Sequence, residues 1–255
     1  MQQTGDIEFL TEANTYFKDA QICRGEKRDD RWNDTIGNKQ MTGDALPYEG
    51  TVLEHLLIQH LTSFYDVGEH NHIRLRGADW NDGLDMAEER GESVAFTALY
   101  GGNLKNLAQD IKDYSDKTGK DTVSIAKEIL VLLEADSSIY DSIGEKNALL
   151  EKYCDEVGHI ISGEKTEVKC DWLADKLTEM SNWITDHIRN TEWTSDKEGN
   201  SWFNGYYDNS GKAVEGDFES GVRMMLTGQV FTVMSGVATD EQVAEIAKAA
   251  DKYLY

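Results

Sequence analysis

The sequence predicts an all-α protein. Apolar residues recur at helical spacing over most of the 255 residues, and turn-forming residues separate these segments. No strand–helix alternation and no Gly-x-Gly-x-x-Gly pattern is present, which argues against a dinucleotide-binding fold. Because about seven helices of similar length are more than a four-helix bundle needs, we expect an array of antiparallel helix pairs.

The predicted helices follow one another along the chain. In residues 51–65, Leu53, Leu57 and Leu61 fall on one face of a helix. Between residues 191 and 223 the pattern is interrupted by Gly, Asn and Asp, which predicts an irregular insertion or a short hairpin. Further helices are predicted at residues 93–114, 121–135, 143–161, 169–190 and from residue 239 onward.

Two local features refine these helices. Thr239 and Gln242 have the spacing of a capping box, in which each side chain bonds the other residue's backbone N–H. Gly101 and Gly102 interrupt an otherwise favourable helix, and each costs about 1 kcal/mol relative to alanine. We therefore expect close helix packing or a kink at the two glycines.

Composition and charge limit the function. The hydrophobic content of 39% supports one sizeable core or two small ones. The net charge of −23 disfavours nucleic acids and anionic membranes as partners, because both are polyanions. The sequence contains no stretch of about 18 apolar residues, so no membrane-spanning helix is predicted. The start of the chain, MQQTGDIEFL, lacks the pattern of a secretory signal.

The cysteines indicate a reducing compartment. Cys23, Cys154 and Cys170 are odd in number and form no Cys-x-x-Cys pair. The simplest interpretation is three free thiols, and we expect a cytoplasmic protein.

One short motif carries the chemistry. Asp79, Trp80, Asn81 and Asp82 lie between two glycines, in the stretch GADWNDG. Glycines favour a loop that presents its side chains, and a tryptophan beside carboxylates is typical of a sugar site. A carboxylic acid whose pKa is raised by neighbouring charge, here including Asp85, can protonate a glycosidic oxygen. An Asx-rich turn is the alternative, whereas the spacing does not match an EF-hand calcium loop.

The motif also resembles a known family. ADWNDGLD followed by GESVAFTALY, together with EGTVLEHLLIQHLTSFYDVGEHNHIRL and the later WFNGYYDNSGKAVEGD, is similar to the inverting phosphorylases of glycoside hydrolase family 94. VGEHNHIRL and LTGQVF are most similar to the β-1,2-oligoglucan branch. The resemblance implies part of an (α/α)6 barrel. It also implies that Asp82 is the general acid, that Trp80 lies against the sugar, and that Asp79 and Asn81 shape the loop or bond hydroxyls.

The resemblance further implies a reaction. Phosphate is an anionic nucleophile that needs no catalytic base, so one acid is sufficient, and a β-glucoside gives α-glucose 1-phosphate. The expected partners are an oligosaccharide and inorganic phosphate as co-substrate, with no cofactor and no metal; a homodimer of the full-length enzyme is left open. Two alternatives stay open: a non-catalytic carbohydrate-binding helical fragment, and an inverting hydrolase with a second carboxylate.

Parts of the family pattern are missing. The family's N-terminal β-sandwich, the C-terminal part of the barrel and the phosphate-binding residues have no counterpart in residues 1–255. We therefore expect a single, incomplete catalytic domain that is inactive alone.

Other residues admit two interpretations. His70-x-His72 could be half of a metal site, although a surface or supporting role is favoured. Glu92 and Ser93 suit either a helix cap or the wall of a cleft. Four aromatic residues suit either a sugar-stacking platform or a local core: Trp202, Phe203, Tyr206 and Tyr207.

Overall fold

The structure is a computed structural model that describes residues 4–22, 27–76 and 86–254. About 49% of it is helical and about 20% is strand. The prediction of an all-α fold, and with it the predicted part of an (α/α)6 barrel, is therefore wrong, and the fold is mixed α/β. A short hairpin was one of the two alternatives predicted for residues 191–223, where the strand Trp193–Ser195 pairs antiparallel with the strand Ser201–Phe203. The other strands were not predicted, because most of them are only two or three residues long, too short for a hydrophobic period to develop.

The helices follow the apolar periodicity where it is long. The α-helices of the described residues are α1 (Val52–Tyr65), α2 (Val94–Thr118), α3 (Leu130–Leu133), α4 (Ile143–Val157), α5 (Cys170–Thr191), α6 (Leu226–Met234) and α7 (Asp240–Tyr253). The predicted capping box is confirmed, because Thr239 and Gln242 exchange both hydrogen bonds at the start of α7. None of the helices in the described part of the chain combines the length and apolar character needed to cross a membrane.

The strands pair into small separate sheets. They are β1 (Ala13–Thr15), β2 (Gln21–Ile22), β3 (Lys27–Arg28), β4 (Met41–Thr42), β5 (Glu49–Thr51), β6 (Ile73–Arg74), β7 (Glu92–Ser93), β8 (Thr122–Ala126), β9 (Ile160–Ile161), β10 (Lys165–Lys169), β11 (Trp193–Ser195), β12 (Ser201–Phe203), β13 (Tyr206–Tyr207), β14 (Gly216–Phe218) and β15 (Gly221–Arg223). The pairs are β1–β5, β2–β3, β8–β10, β11–β12 and β14–β15, all antiparallel, and β4–β9, which is parallel. β13, β7 and β6 form the three-stranded sheet.

The largest local error concerns residues 121–135, which were predicted as one helix. They form strand β8, a 3-10 turn at Lys127–Ile129 and the four-residue helix α3. In β8, Val123 and Ile125 are buried while their neighbours Thr122 and Ser124 are partly exposed. This alternation has the period of two that a half-buried strand shows.

The chain divides into two compact units. The first comprises Met1–Tyr65 and Asn106–Leu177, and the second comprises Asp66–Lys105 and Thr178–Tyr255. In the first unit, the side chains that are fully buried include Leu57, Leu61, Ile111, Ile125 and Ile129. In the second unit, Leu75, Ala87, Ala95, Tyr206 and Val214 form one apolar cluster. The single incomplete catalytic domain stays a prediction.

Of the two cysteines that the structure describes, one differs from expectation; Cys23 lies outside the described residues. Cys170 is a buried free thiol, as predicted. Cys154 is disulfide-bonded, so the expectation of free thiols is wrong for this residue.

The glycine pair in α2 permits close packing, as the sequence predicted. A Cβ on Gly101 would lie 2.7 Å from Ile184 Cγ2, and one on Gly102 would lie 2.9 Å from Ser235 Cα. Both distances are shorter than side chains tolerate, and at Gly102 the obstacle is backbone. The glycines therefore let neighbouring segments of the second unit approach α2.

We predict that Gly102→Ala destabilises the protein by about 1–3 kcal/mol, because the clash with Ser235 outweighs the gain in helix propensity. The matched control is Gly144→Ala in α4, where a Cβ meets nothing within 4 Å and stability should be equal or up to about 1 kcal/mol higher. Urea unfolding measures both. A stabilising Gly102→Ala would contradict the packing argument.

Candidate active site

The predicted site residues Asp79, Trp80, Asn81 and Asp82 lie outside the described residues. Their assignment stays a prediction. The structure describes the two flanks of this motif, up to Arg76 on one side and from Met86 on the other, and the elements that hold these flanks in the second unit.

Strand pairing joins the two flanks. β6 precedes the motif and β7 follows it, and they pair antiparallel with Ile73 opposite Ser93 and Arg74 opposite Glu92. Leu75 N–H extends the pairing by donating to Gly91 O at 2.9 Å. The motif therefore belongs to the segment that connects two paired strands, β6 and β7.

The flank before the motif is fixed by an ion pair. The Arg76 guanidinium donates from Nη2 to Asp66 Oδ1 at 2.6 Å and from Nε to Asp66 Oδ2 at 3.2 Å. Asp66 is only 1% exposed, so the pair is partly shielded from solvent. Arg76 has a φ of +50°, a left-handed conformation that a non-glycine residue rarely adopts. The two hydrogen bonds to Asp66 help to hold that conformation.

Asn209 fixes the flank after the motif. Its Oδ1 accepts the backbone N–H groups of Glu89 and Arg90, each at 2.8 Å. Its own N–H donates to Met86 O at 2.7 Å. One side chain and one backbone group of Asn209 therefore hold residues 86–90 in place.

The two flanks also share one apolar anchor. Leu75 and Ala87 are 1% and 0% exposed and pack in the same cluster as Tyr206 and Val214. Burial of a leucine side chain stabilises by about 1.5–3 kcal/mol. The flanks are thus held by packing as well as by hydrogen bonds.

Glu92 organises the turn that precedes β6. Its carboxylate accepts the backbone N–H groups of His70 and His72, with the shortest contact to each at 3.0 Å, and contacts His70 Nδ1 at 2.8 Å. A Cβ on Gly68 would lie 2.4 Å from Glu92 Cδ, so this position requires glycine. Ser93 Oγ accepts the N–H of Phe96 at 2.9 Å, which confirms Ser93 as a helix cap. Glu92, in contrast, is buried, and its carboxylate accepts from the turn before β6 and not from the first turn of α2; its part in a cleft stays a prediction.

Glu192 is the centre of a second polar cluster. His72 Nε2 lies 2.9 Å from its Oε1, Asn204 Nδ2 donates to Oε2 at 3.0 Å, and the Tyr207 hydroxyl lies 2.9 Å from Oε1. Burial would raise the pKa of Glu192, but the bond and charge of His72, with the bonds from Asn204 and Tyr207, lower it to about 2. Glu192 is therefore a carboxylate at neutral pH and orients these three side chains.

Glu215 has a different electrostatic environment. It is 2% exposed, and it accepts the N–H groups of Gly205 at 2.9 Å and Met225 at 2.7 Å. Burial raises its pKa to about 8, although these bonds and one from Gln229 act in the opposite direction. Glu215 ties the segment between β12 and β13 to the start of α6.

The aromatic residues of this region are mainly core. Trp202 and Phe203 are fully buried and Tyr206 is 1% exposed, which excludes an open stacking platform made of these three. Tyr207 is partly buried; its ring stacks on His70 at 3.6 Å between ring centroids. Among the residues that the structure describes, no group of three His, Cys, Asp or Glu side chains is arranged to hold a metal ion.

Sequence reasoning missed most of these supporting residues. Asp66, Glu192, Asn204 and Asn209 were not singled out, and His72 and Glu192 are 120 positions apart. No local pattern marks such pairs. Of the supporting residues, only His70, His72, Glu92, Ser93 and the aromatic residues within 202–207 could be recognised as candidates from the sequence.

The fold and these anchors define a mixed α/β protein in which both flanks of a carboxylate-containing sequence motif are fixed. No protein-family model matches the chain. The chain is similar to a solabiose phosphorylase from Paenibacillus borealis, with 23% identity over 225 residues that cover 86% of this chain. It spans only 22% of the length of that protein.

We predict that Asn209→Ala speeds hydrogen exchange at the Glu89 and Arg90 amides by about tenfold, because each loses a hydrogen bond. Asn209→Asp keeps an acceptor oxygen and should leave exchange at both amides near that of the wild type. NMR-detected exchange measures this. Unchanged exchange in the alanine variant would show that Asn209 does not hold the flank.

The lowered pKa of Glu192 predicts acid sensitivity. Its stabilising contribution is present above the unfolded value of about 4.5 and is lost as pH falls towards about 2; it amounts to on the order of 3 kcal/mol. Glu192→Gln should lack this component of the pH dependence of unfolding, and Glu219→Gln, at an exposed position, should retain it. Equal pH profiles in both variants would contradict the assignment.

Proposed function

We propose that residues 1–255 belong to an inverting phosphorylase of glycoside hydrolase family 94. The enzyme cleaves a β-linked gluco-oligosaccharide by phosphorolysis, and β-1,2-glucan is the first substrate to test. The observation that carries the proposal is the similarity over 225 residues to a solabiose phosphorylase. It is also supported by the motif Asp79–Trp80–Asn81–Asp82. The chemistry of these residues suits a sugar site, and their sequence resembles the motif of the family.

The proposed chemistry uses one carboxylic acid. Asp82 donates its proton to the glycosidic oxygen while a phosphate oxygen attacks the anomeric carbon from the opposite face. The bond to the glycosidic oxygen breaks, the leaving sugar departs as a neutral alcohol, and the product is an α-sugar 1-phosphate. Trp80 stacks on the sugar, and Asp79 and Asn81 bond hydroxyls or shape the loop.

The flanks contribute positioning. Displacement of a catalytic group by about 1 Å can cost roughly a hundredfold in rate. The Asp66–Arg76 pair before the motif and Asn209 after it limit where the motif can begin and end. Glu92 and Glu192 fix the turn and the strands behind these flanks. This arrangement supports a role for the segment in chemistry and not only in a solvent-exposed turn.

We predict that the full-length protein to which these residues belong releases sugar 1-phosphate from β-linked gluco-oligosaccharides only when phosphate is present. Asp82→Asn should lower kcat by about 10²–10⁴-fold, the usual contribution of a general acid. The loss should be smaller with an aryl β-glucoside, because a good leaving group needs less protonation. Enzyme-coupled detection of glucose 1-phosphate measures both.

The matched control is Asp85→Asn, which removes a carboxylate from the same stretch and should lower kcat less than tenfold. Sugar release without phosphate would replace the proposal with the inverting hydrolase. No release from the folded protein would favour the non-catalytic carbohydrate-binding alternative.

A further inference from the structure

The first unit contains a pocket. Its volume is about 310 Å³, and all of its lining residues that the structure describes belong to that unit. This volume is at the lower end of the range in which proteins bind small molecules. Tyrosine rings and aliphatic side chains supply most of the wall; they include Tyr16, Tyr48, Tyr153, Ile58, Ile129 and Ile161.

A buried carboxylate lines this pocket with one oxygen unused. Glu128 is 8% exposed, and its Oε1 accepts the N–H of Ser162 at 2.8 Å. Its Oε2 is buried and has no hydrogen-bond partner among the residues that the structure describes. A buried carboxylate oxygen that lacks a partner destabilises the folded protein. A ligand that donates a hydrogen bond to Oε2 would remove this cost.

Tyr16 supplies a second unused polar atom. Its hydroxyl is buried without a hydrogen-bond partner in the described part of the chain, and Tyr16 lines the same pocket. Burial, with the charge of Glu54, raises the pKa of Tyr16 far above neutral pH, so the group is a neutral phenol. The ring is held in place by stacking on His55, with 3.7 Å between ring centroids, and by contact with Gly50.

The charges around the pocket favour a cation over an anion. The Lys18 ammonium, which lines the pocket, lies 3.2 Å from the buried Asp29 carboxylate. Lys127, next to Glu128, is paired through Nζ with Glu164 at 2.6 Å. Both neighbouring ammonium groups are thus already engaged by other carboxylates, and the chain as a whole carries −23. Aromatic rings beside a carboxylate are the usual surroundings of a bound organic cation.

We propose that this pocket binds a small organic ammonium ion with an apolar body, whose charged nitrogen donates to Glu128 Oε2 and to the Tyr16 hydroxyl. The apolar body lies among the tyrosine rings and the isoleucines. The proposal does not rest on the proposed phosphorolysis, because the lining residues that the structure describes all belong to the first unit.

The test compares 2-phenylethylamine with its neutral analogue 2-phenylethanol. Titration of the whole protein, followed by NMR at the Ser162 amide and by calorimetry, should show saturable binding of the amine and at least tenfold weaker binding of the alcohol. Glu128→Gln keeps an acceptor for Ser162 and removes the charge, so it should weaken amine binding at least tenfold. Tyr16→Phe should weaken it less, because the ring remains.

The matched control is Glu151→Gln, which removes one charge at an exposed position of α4 in the same unit and should leave binding unchanged. Equal affinity for amine and alcohol, no saturable binding of the amine, or equal effects of Glu128→Gln and Glu151→Gln would overturn the proposal. The comparison of the amine with the alcohol on the unmodified protein tests whether the pocket prefers a cation, even if Glu128→Gln fails to fold.

Discussion

Buried glutamates that accept hydrogen bonds from neutral donors are the constraint on which the described structure depends. In a chain with 48 Asp and Glu residues and 25 Lys and Arg residues, cations are too few to pair every acidic side chain, and a buried carboxylate without a partner costs several kcal/mol. Glu54 in the first unit accepts from the Tyr48 hydroxyl and two backbone N–H groups. Glu92 and Glu215 in the second unit do so largely through backbone N–H groups. Each glutamate therefore fixes backbone that is distant in sequence.

This constraint explains how far the fold could be predicted. Long helices were visible because an apolar stripe repeats over many turns, as in α1 and α5. The small sheets were not, because strands of two residues such as β6 and β7 are specified by hydrogen bonds to Glu92 and by pairing across 20 positions. In residues 122–126, apolar and polar side chains alternate with the period of a strand. The apolar residues that follow them continue at helical spacing, so the end of the strand was not recognised.

The candidate site also has a part that the sequence predicts and a part that it does not. Its motif could be predicted, because tryptophan and carboxylates between glycines have recognisable chemistry at short spacing. Its supports could not, since Asp66 acts through Arg76, and Asn209 acts on residues about 120 positions earlier. These supports hold the motif's flanks within the second unit. The distant similarity to a solabiose phosphorylase supports the proposed class of reaction, phosphorolysis of a sugar.

The central claim is that phosphate, and not water or an enzyme carboxylate, attacks the anomeric carbon once, with inversion. Phosphorus and proton NMR of the first product formed from a β-linked gluco-oligosaccharide in phosphate buffer tests it most directly. The account predicts an α-sugar 1-phosphate as the initial product. A β-sugar 1-phosphate would indicate two displacements through a covalent intermediate, and free sugar as the initial product would indicate hydrolysis; either would contradict the account.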